Sequence, residues 1–303
     1  MCGLISGILT TYVGPAATGS GVAELIGYLN GVNYPGFIGV RTLIVKIVGV
    51  VLAVLGHLCV GKEGPLAHIG GILGMMIIYT PGIDFNFLKN DEKKRCFVAA
   101  GASAGVSVAF GAPIGGALFA YEMSKPNTFW RFSMIWKVFF SCALGTFSLA
   151  FFSSWKEKDF VDWKGSALKF GSLANEKPIN PLLLLPGAVI IGIIGGCLGA
   201  FFININTRAN AFRKKKLTKD WMKPIETAFF CMLTATVWFY LPYMFQTCNK
   251  PRDAGNDDNK YKGWCETTDT ENASYNPLAT LFWNTEGSII RNIMSRNVDI
   301  SIF

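Results

Sequence analysis

The chain has 303 residues, of which 51% are hydrophobic and only 16% charged, and its mean hydropathy is +0.35. Because soluble domains carry about 25% charged residues, this composition excludes an ordinary soluble protein and indicates an integral, multi-pass membrane protein. The net charge of +8 does not point to nucleic acid. The basic residues are concentrated in two short segments without interleaved aromatic residues, so we expect membrane lipid, and no nucleic acid, as a partner.

The apolar segments are unequal in length and rich in glycine, which predicts an all-α, polytopic fold with tilted, broken and re-entrant helices. Such segments are typical of transporters and channels, in which half-helices meet near the membrane midplane. The predicted elements, in chain order, are the end of a helix over 1–13, a re-entrant loop and short helix over 14–31, a tilted span over 38–58, a helix over 62–80, two packed segments over 97–123, and spans over 132–155, 181–212 and 225–245.

The two basic segments predict the orientation of the chain. Cytoplasmic loops carry an excess of lysine and arginine, which places residues 84–95 and 212–224 on the cytoplasmic side. Residues 156–180 and 247–280 then lie on the opposite side, and we expect 247–280 to be an extracytoplasmic loop. The pattern does not distinguish the plasma membrane from an endolysosomal membrane.

The second outer loop contains residues that are typical of proteins in an oxidising compartment. It contains Cys248, Cys265 and the sequon that begins at Asn272. Glycosylation acceptors and disulfides both belong to such compartments. We therefore hypothesise a Cys248–Cys265 disulfide and a glycosylation site at Asn272. No spacing of cysteine or histidine predicts a metal site, and we expect no cofactor and no enzymatic activity.

Glycine-rich motifs mark the positions where chemistry is expected. The most informative is Gly61-Lys62-Glu63-Gly64-Pro65, which lies between two apolar segments and predicts the start of a helix. The N-terminus of a helix favours anions. A carboxylate in hydrocarbon costs about 2.5–3.5 kcal/mol or more, so it usually faces a pore or a partner. This motif therefore indicates a site that handles an anion.

Two further motifs accompany it, Gly19-Ser20-Gly21 upstream and a segment downstream that runs from Gly111-Ala112-Pro113 to Tyr121-Glu122-Met123. Any one of the three could be ordinary packing of small residues between helices. Their order and spacing together resemble the CLC family of chloride channels and proton/chloride antiporters, over almost the whole chain. The resemblance implies one partial transmembrane domain over 1–303, with the anion-pathway motifs in 14–123.

The resemblance also implies roles for individual residues. Glu63 matches the family's gating glutamate, and the hydroxyl of Ser20 is expected to donate to chloride. The chloride site is completed by the residues around these two, and a third pore helix is expected to begin at Gly111 and Pro113. The neighbours expected around chloride are Gly19, Gly21, Gly61, Lys62 and Gly64. We further expect a homodimer with one pore in each subunit.

Two departures from the family pattern bear on the transport mode. Antiporters of the family carry two adjacent acids where this chain has Glu122 and Met123, and a thioether cannot relay a proton. We therefore expect a chloride channel, with a proton/chloride antiporter of the same family as the alternative. Ala23 stands where the family usually has proline, which should loosen the start of the short helix after Ser20.

The family's later pore elements and its cytoplasmic CBS domains have no counterpart in this sequence. The simplest expectation is a fragment of a larger membrane protein. From a different functional class, the chain could be a truncated, non-conducting membrane protein.

Overall fold

The computed structural model describes residues 1–56, 58, 60–80, 90–124, 132–157, 181–217, 219–245, 248, 265, 276–284 and 289. These residues form ten α-helices and no strand, which confirms the all-α prediction. The helices are α1 (Cys2–Ile8), α2 (Val22–Leu29), α3 (Val40–Leu55), α4 (Glu63–Ile78), α5 (Asp91–Phe110), α6 (Pro113–Ser124), α7 (Phe132–Glu157), α8 (Pro181–Lys216), α9 (Met222–Met244) and α10 (Pro277–Trp283). A π-helix over Leu9–Val13 extends α1, and a 3-10 turn covers Pro15–Ala17.

Three helices are long and apolar enough to cross a membrane, among the residues that the structure describes. They are Met134–Trp155 in α7, Leu185–Lys216 in α8 and Met222–Met244 in α9. Each overlaps a span predicted from the sequence, so the multi-pass membrane prediction is confirmed. The helix α4 is apolar but shorter, with 16 residues.

Several predicted boundaries were wrong because charged residues lie inside helices. The helix α5 begins at Asp91, earlier than predicted, and its first turn carries Asp91 and Glu92. The helix α8 continues into the expected cytoplasmic loop as far as Lys216, with four basic residues in its last turn. Both arrangements are favourable, since the helix dipole stabilises acids at the N-terminus and cations at the C-terminus. The helix α10 begins at Pro277, inside the segment expected as an extracytoplasmic loop over 247–280.

The chain divides into two compact units, Met1–Lys169 with Thr227–Ala235, and Phe170–Glu226 with Thr236–Phe303. The described part of the first unit contains α1 to α7 and the middle of α9. The described part of the second contains α8, both ends of α9, and α10.

The first unit is built around the close packing of α4 on α5. A Cβ atom added at Gly70 or Gly74 would overlap the backbone of α5, and one added at Gly101 or Gly105 would overlap the backbone of α4. The order of these contacts shows that the two helices run antiparallel. Small residues allow helix backbones to approach closely in membrane proteins, so glycine is required on both sides of this interface.

An apolar cluster fixes α2 against this helix pair. Leu25 and Leu29 of α2 are buried with Val98 of α5 and Met123 of α6. The helix α7 then packs on α5, where the hydroxyl of Ser107 donates to the carbonyl of Cys142 at 3.0 Å. The apolar cluster therefore packs α2 against α5 and α6.

The second unit contains local caps and ion pairs. The side chain of Asn276 accepts from the backbone N–H of Ala279 at 3.1 Å and so caps α10. Arg213 of α8 forms a bidentate ion pair with Glu226 of α9. Cys248 and Cys265 are joined by a bond between their sulfur atoms. The predicted glycosylation site at Asn272 lies outside the described residues.

Candidate anion site

The loop that carries Ser20 depends on two glycines in the left-handed region. Gly19 has φ +72° and Gly21 has φ +79°, and Gly21 is the N-cap residue of α2. Residues with a Cβ rarely adopt this conformation. The hydroxyl oxygen of Ser20 accepts from the N–H of Val22 at 3.3 Å. A serine hydroxyl also has one donor, so this loop, residues 18–21, can offer the O–H of Ser20 to an anion.

The first turn of α4 lies directly against this loop. A Cβ atom added at Gly64 would be 2.6 Å from the Cβ of Ser20, so only glycine permits the observed approach. No side chain caps the N-terminus of α4. The first N–H groups of a helix have no intrahelical acceptor, and Pro65 has no N–H at all. The N–H groups of Glu63 and Gly64 are therefore the donors that this turn offers.

The carboxylate of Glu63 folds back over the chain segment that precedes α4. Its Oε2 would lie 2.6 Å from a Cβ atom added at Gly61. The side chain is half-buried. A residue larger than glycine at position 61 would displace the carboxylate from this position.

Ser20 and Glu63 line one cavity of about 480 Å³. Its wall also contains the backbone of Gly19, Gly61 and Gly64, and it is completed by apolar residues of α3 and by two hydroxyl side chains near α1. The first two motifs found in the sequence therefore meet at a single site. The cavity combines a hydroxyl, the N-terminal end of α4 and a carboxylate.

Lys46 of α3 also lines this cavity, and the sequence did not identify it as a site residue. Only 2% of its surface is exposed. Its Nζ donates to the carbonyl oxygen of Ala17 at 3.0 Å and to that of Gly19 at 2.7 Å. The available signal was a lone lysine inside an otherwise apolar predicted span, since intramembrane charges commonly mark functional sites.

His68 lies one turn along α4 and is packed beneath the loop. It is fully buried, its Nε2 is 3.1 Å from the carbonyl oxygen of Phe37, and its ring stacks on that of Phe37 at 4.1 Å. A Cβ atom added at Gly21 would overlap the His68 ring. His68 therefore supports the start of α2.

Several predicted site residues do not line the cavity. Lys62 is exposed at the N-cap of α4, and Gly21 packs on His68 instead. Gly111 ends α5 with φ +64°, and Pro113 begins α6, which packs on α5 and α7. The third motif does start a helix, as predicted, but that helix does not point its first turn into this cavity.

Glu122 and Met123, near the end of α6, lie in different environments. Glu122 is exposed, whereas Met123 is 4% exposed and belongs to the apolar cluster with Leu25 and Leu29.

Among the described residues, no three His, Cys, Asp or Glu side chains lie close enough together to hold a metal ion.

The sequence profile described as "Voltage gated chloride channel" matches residues 2–282. The chain belongs to this family. The family's human member "H(+)/Cl(-) exchange transporter 7" is 34% identical over 296 residues, which cover 95% of this chain and 36% of that protein. "Chloride channel protein CLC-d" of Arabidopsis thaliana is 34% identical over 320 residues, which cover 96% of this chain and 38% of the relative.

A solved structure supports the same fold. The crystal structure described as that of "a slow cyanobacterial Cl-/H+ antiporter" matches with a TM-score of 0.59 and 25% sequence identity, over 77% of this chain and 50% of that chain. The CLC fold expected from the motifs is thereby confirmed. The chain spans little more than a third of the length of the curated relatives it matches.

Proposed function

We propose that this chain forms the anion-binding part of a proton/chloride exchanger in which Glu63 and chloride compete for one cavity. The observation that carries the proposal is that Ser20 and Glu63, from separate motifs, line the same cavity of about 480 Å³. A helix N-terminus carries about half a positive charge. The cavity therefore attracts an anion, and the carboxylate of Glu63 is an anion already present beside it.

The mechanism follows from this competition. An ionised Glu63 is attracted by the partial positive charge at the start of α4 and repels chloride. Protonation removes its charge and with it both effects, so chloride can enter while Glu63 carries a proton. When chloride leaves, the carboxylate can ionise and return. The O–H of Ser20 and the N–H groups of α4 hold the anion without a covalent bond or a metal.

Exchange is the first candidate because relatives over nearly the whole chain are named as exchange transporters and the matching solved structure is named as an antiporter. The channel that we expected from Met123 is less well supported by these names. It remains the second candidate on one observation: Met123 lies in an apolar cluster, where no proton can be held. No observation of the structure favours a non-conducting protein.

The test is a flux measurement with the purified protein in liposomes. Chloride efflux and proton uptake are recorded together, with Glu63→Ala in parallel. Exchange predicts proton uptake in fixed ratio to chloride efflux, and loss of proton uptake in Glu63→Ala while chloride still moves. Chloride efflux without proton uptake in the unmodified protein would contradict exchange and support the channel. No chloride movement in either protein would contradict both.

A homodimer is proposed on the basis of exposed apolar side chains. Ile114 and Leu118 of α6 are 65% and 59% exposed, and Trp136 and Phe140 of α7 are 68% and 65% exposed. Lipid would accept such side chains equally well. Light scattering of the detergent-solubilised protein distinguishes a dimer from a monomer whose apolar side chains face lipid. A monomeric mass would contradict the dimer.

A further inference from the structure

A groove of about 1010 Å³ lies between α4, α5 and α7, and it shares no lining residue with the anion cavity. Its lining residues on α5 recur every three or four positions, as residues on one face of a helix do. Leu73 and Ile77 of α4 line the groove and are exposed. The groove therefore opens on the outside of the first unit.

The middle of the groove is apolar and has the length of an acyl chain. Its wall on α5 runs from Cys96 to Val108 through alanine and glycine, and these 12 steps at 1.5 Å each span about 18 Å. One leaflet of a membrane has a hydrocarbon layer of about 15 Å, half of the whole core. The hydroxyl of Ser141, which also lines the groove, donates to the carbonyl of Ala100 at 3.3 Å.

The directions of the helices determine which ends meet. Ser141 of α7 contacts Ala100 of α5, and Gly145 lies beside Val108. The contacts follow the same order on both helices, so α5 and α7 run parallel. Because α4 runs antiparallel to α5, the start of α5, the start of α7 and the end of α4 lie at one end of the groove.

The charged residues of the groove lie at this end. They are Glu92 and Lys93 near the start of α5 and Lys137 near the start of α7, and no other described residue of the lining is charged. Both lysines are exposed and Glu92 is half-buried. The basic segments predict that this end faces the cytoplasm, where the membrane leaflet contains anionic lipids such as phosphatidylserine.

We propose that this groove binds one phosphatidylserine molecule, with an acyl chain along α5 and the headgroup at Lys93 and Lys137. Lysine side chains lay their apolar stems along such a surface and extend the ammonium group towards the headgroups. The headgroup carries two negative groups and one ammonium, which complements two lysines and one glutamate. This inference goes beyond the proposed function and does not require chloride to bind.

Two substitutions separate the headgroup from the acyl chain. Lys137→Glu reverses one charge at the polar end and should lower the affinity for phosphatidylserine about tenfold, without changing that for phosphatidylcholine. Its matched control is Lys216→Glu, which reverses the charge of an exposed lysine of α8 outside the groove. Leu73→Trp narrows the groove and should lower the affinity for both lipids. Its matched control is Val51→Trp at an exposed position of α3.

The measurement is native mass spectrometry of the purified, detergent-solubilised protein, titrated with phosphatidylserine or with phosphatidylcholine. We expect one phosphatidylserine molecule to bind about tenfold more tightly than phosphatidylcholine. Alkylation of cysteines, read by peptide mapping, locates the lipid. Cys96 lines the groove, whereas Cys231 is a half-buried free thiol of α9 outside it. Phosphatidylserine should slow the alkylation of Cys96 and leave that of Cys231 unchanged.

Three results would overturn the inference. The first is equal affinity of the unmodified protein for the two lipids, which would show that the charged end does not select a headgroup. The second is an equal loss in Lys137→Glu and Lys216→Glu, which would indicate attraction by net charge alone. The third is alkylation of Cys96 that phosphatidylserine does not slow. Each of these results would leave the chloride flux experiment, and with it the proposed function, unaffected.

Discussion

The contact between Gly64 and Ser20 gives the sharpest prediction about the cavity. The substitution Gly64→Ala places a Cβ atom 2.6 Å from the Cβ of Ser20, whereas ordinary contacts begin at 3.4 Å. The two segments must therefore separate by about 0.8 Å, the difference between these distances. The neighbouring atom belongs to a short side chain beside the backbone, so it cannot avoid the new methyl group by rotating.

The size of the effect can be worked out from this shift. Overpacking a well-packed site costs about 1–3 kcal/mol, and replacing a helical glycine by alanine returns at most about 1 kcal/mol. We expect a net loss of about 1–2 kcal/mol in the free energy of unfolding. Moving the Ser20 hydroxyl by nearly an ångström should also break the hydrogen bond to chloride that we propose for it. Hydrogen bonds to charged groups contribute about 1.5–3 kcal/mol, so chloride affinity should fall about 10- to 100-fold.

The assay is chloride titration together with thermal unfolding of Gly64→Ala. Gly115→Ala is the matched control, because its new Cβ would meet the Cβ of Ala112 at an ordinary 3.5 Å. Adding Ser20→Gly to Gly64→Ala removes the collision and the hydroxyl together, so stability should recover while affinity stays low. Chloride binding that is unchanged in Gly64→Ala, or lowered equally in Gly115→Ala, would refute the geometry of the site.

Two other predictions concern the helices that support the cavity. Gly105→Val should prevent the close packing of α4 on α5, because even a Cβ atom at this position overlaps the carbonyl of Leu66; folded protein of unchanged thermal stability would contradict it. His68→Leu should lower the free energy of unfolding by about 1–3 kcal/mol, since it leaves the buried carbonyl of Phe37 without its partner. A melting temperature equal to that of the unmodified protein would show that this bond contributes little.

The parts of the structure that depend on neighbouring residues were predictable from the sequence. The glycines around Ser20 and the proline after Glu63 determine how α2 and α4 begin, because backbone conformation and helix starts depend on residues close in the chain. The long apolar segments predicted the helices α7, α8 and α9, because this signal also depends only on residues close in the chain. The end of α8 was misplaced, because its basic residues suit a loop and a helix C-terminus equally well.

The parts that depend on distant residues were not predictable. Lys46 is 29 residues from Ala17 and 27 from Gly19 in the chain, and no local pattern shows that its ammonium meets their carbonyls. Pro113 begins a helix as its motif predicts, but the packing of α6 on α5 and α7 decides where that helix lies. Local chemistry thus predicted which residues can bind an anion, and the tertiary fold decided which of them share the cavity.

The central claim is that the carboxylate of Glu63 and chloride compete for one cavity, and Glu63→Gln tests it most directly. This substitution removes the competing charge and keeps the shape of the side chain, while Glu92→Gln removes a carboxylate of α5 outside the cavity. Chloride titration at neutral pH should show tighter binding in Glu63→Gln than in the unmodified protein, and no change in Glu92→Gln. Chloride affinity that is unchanged or weaker in Glu63→Gln would contradict the competition and, with it, the proposed mechanism.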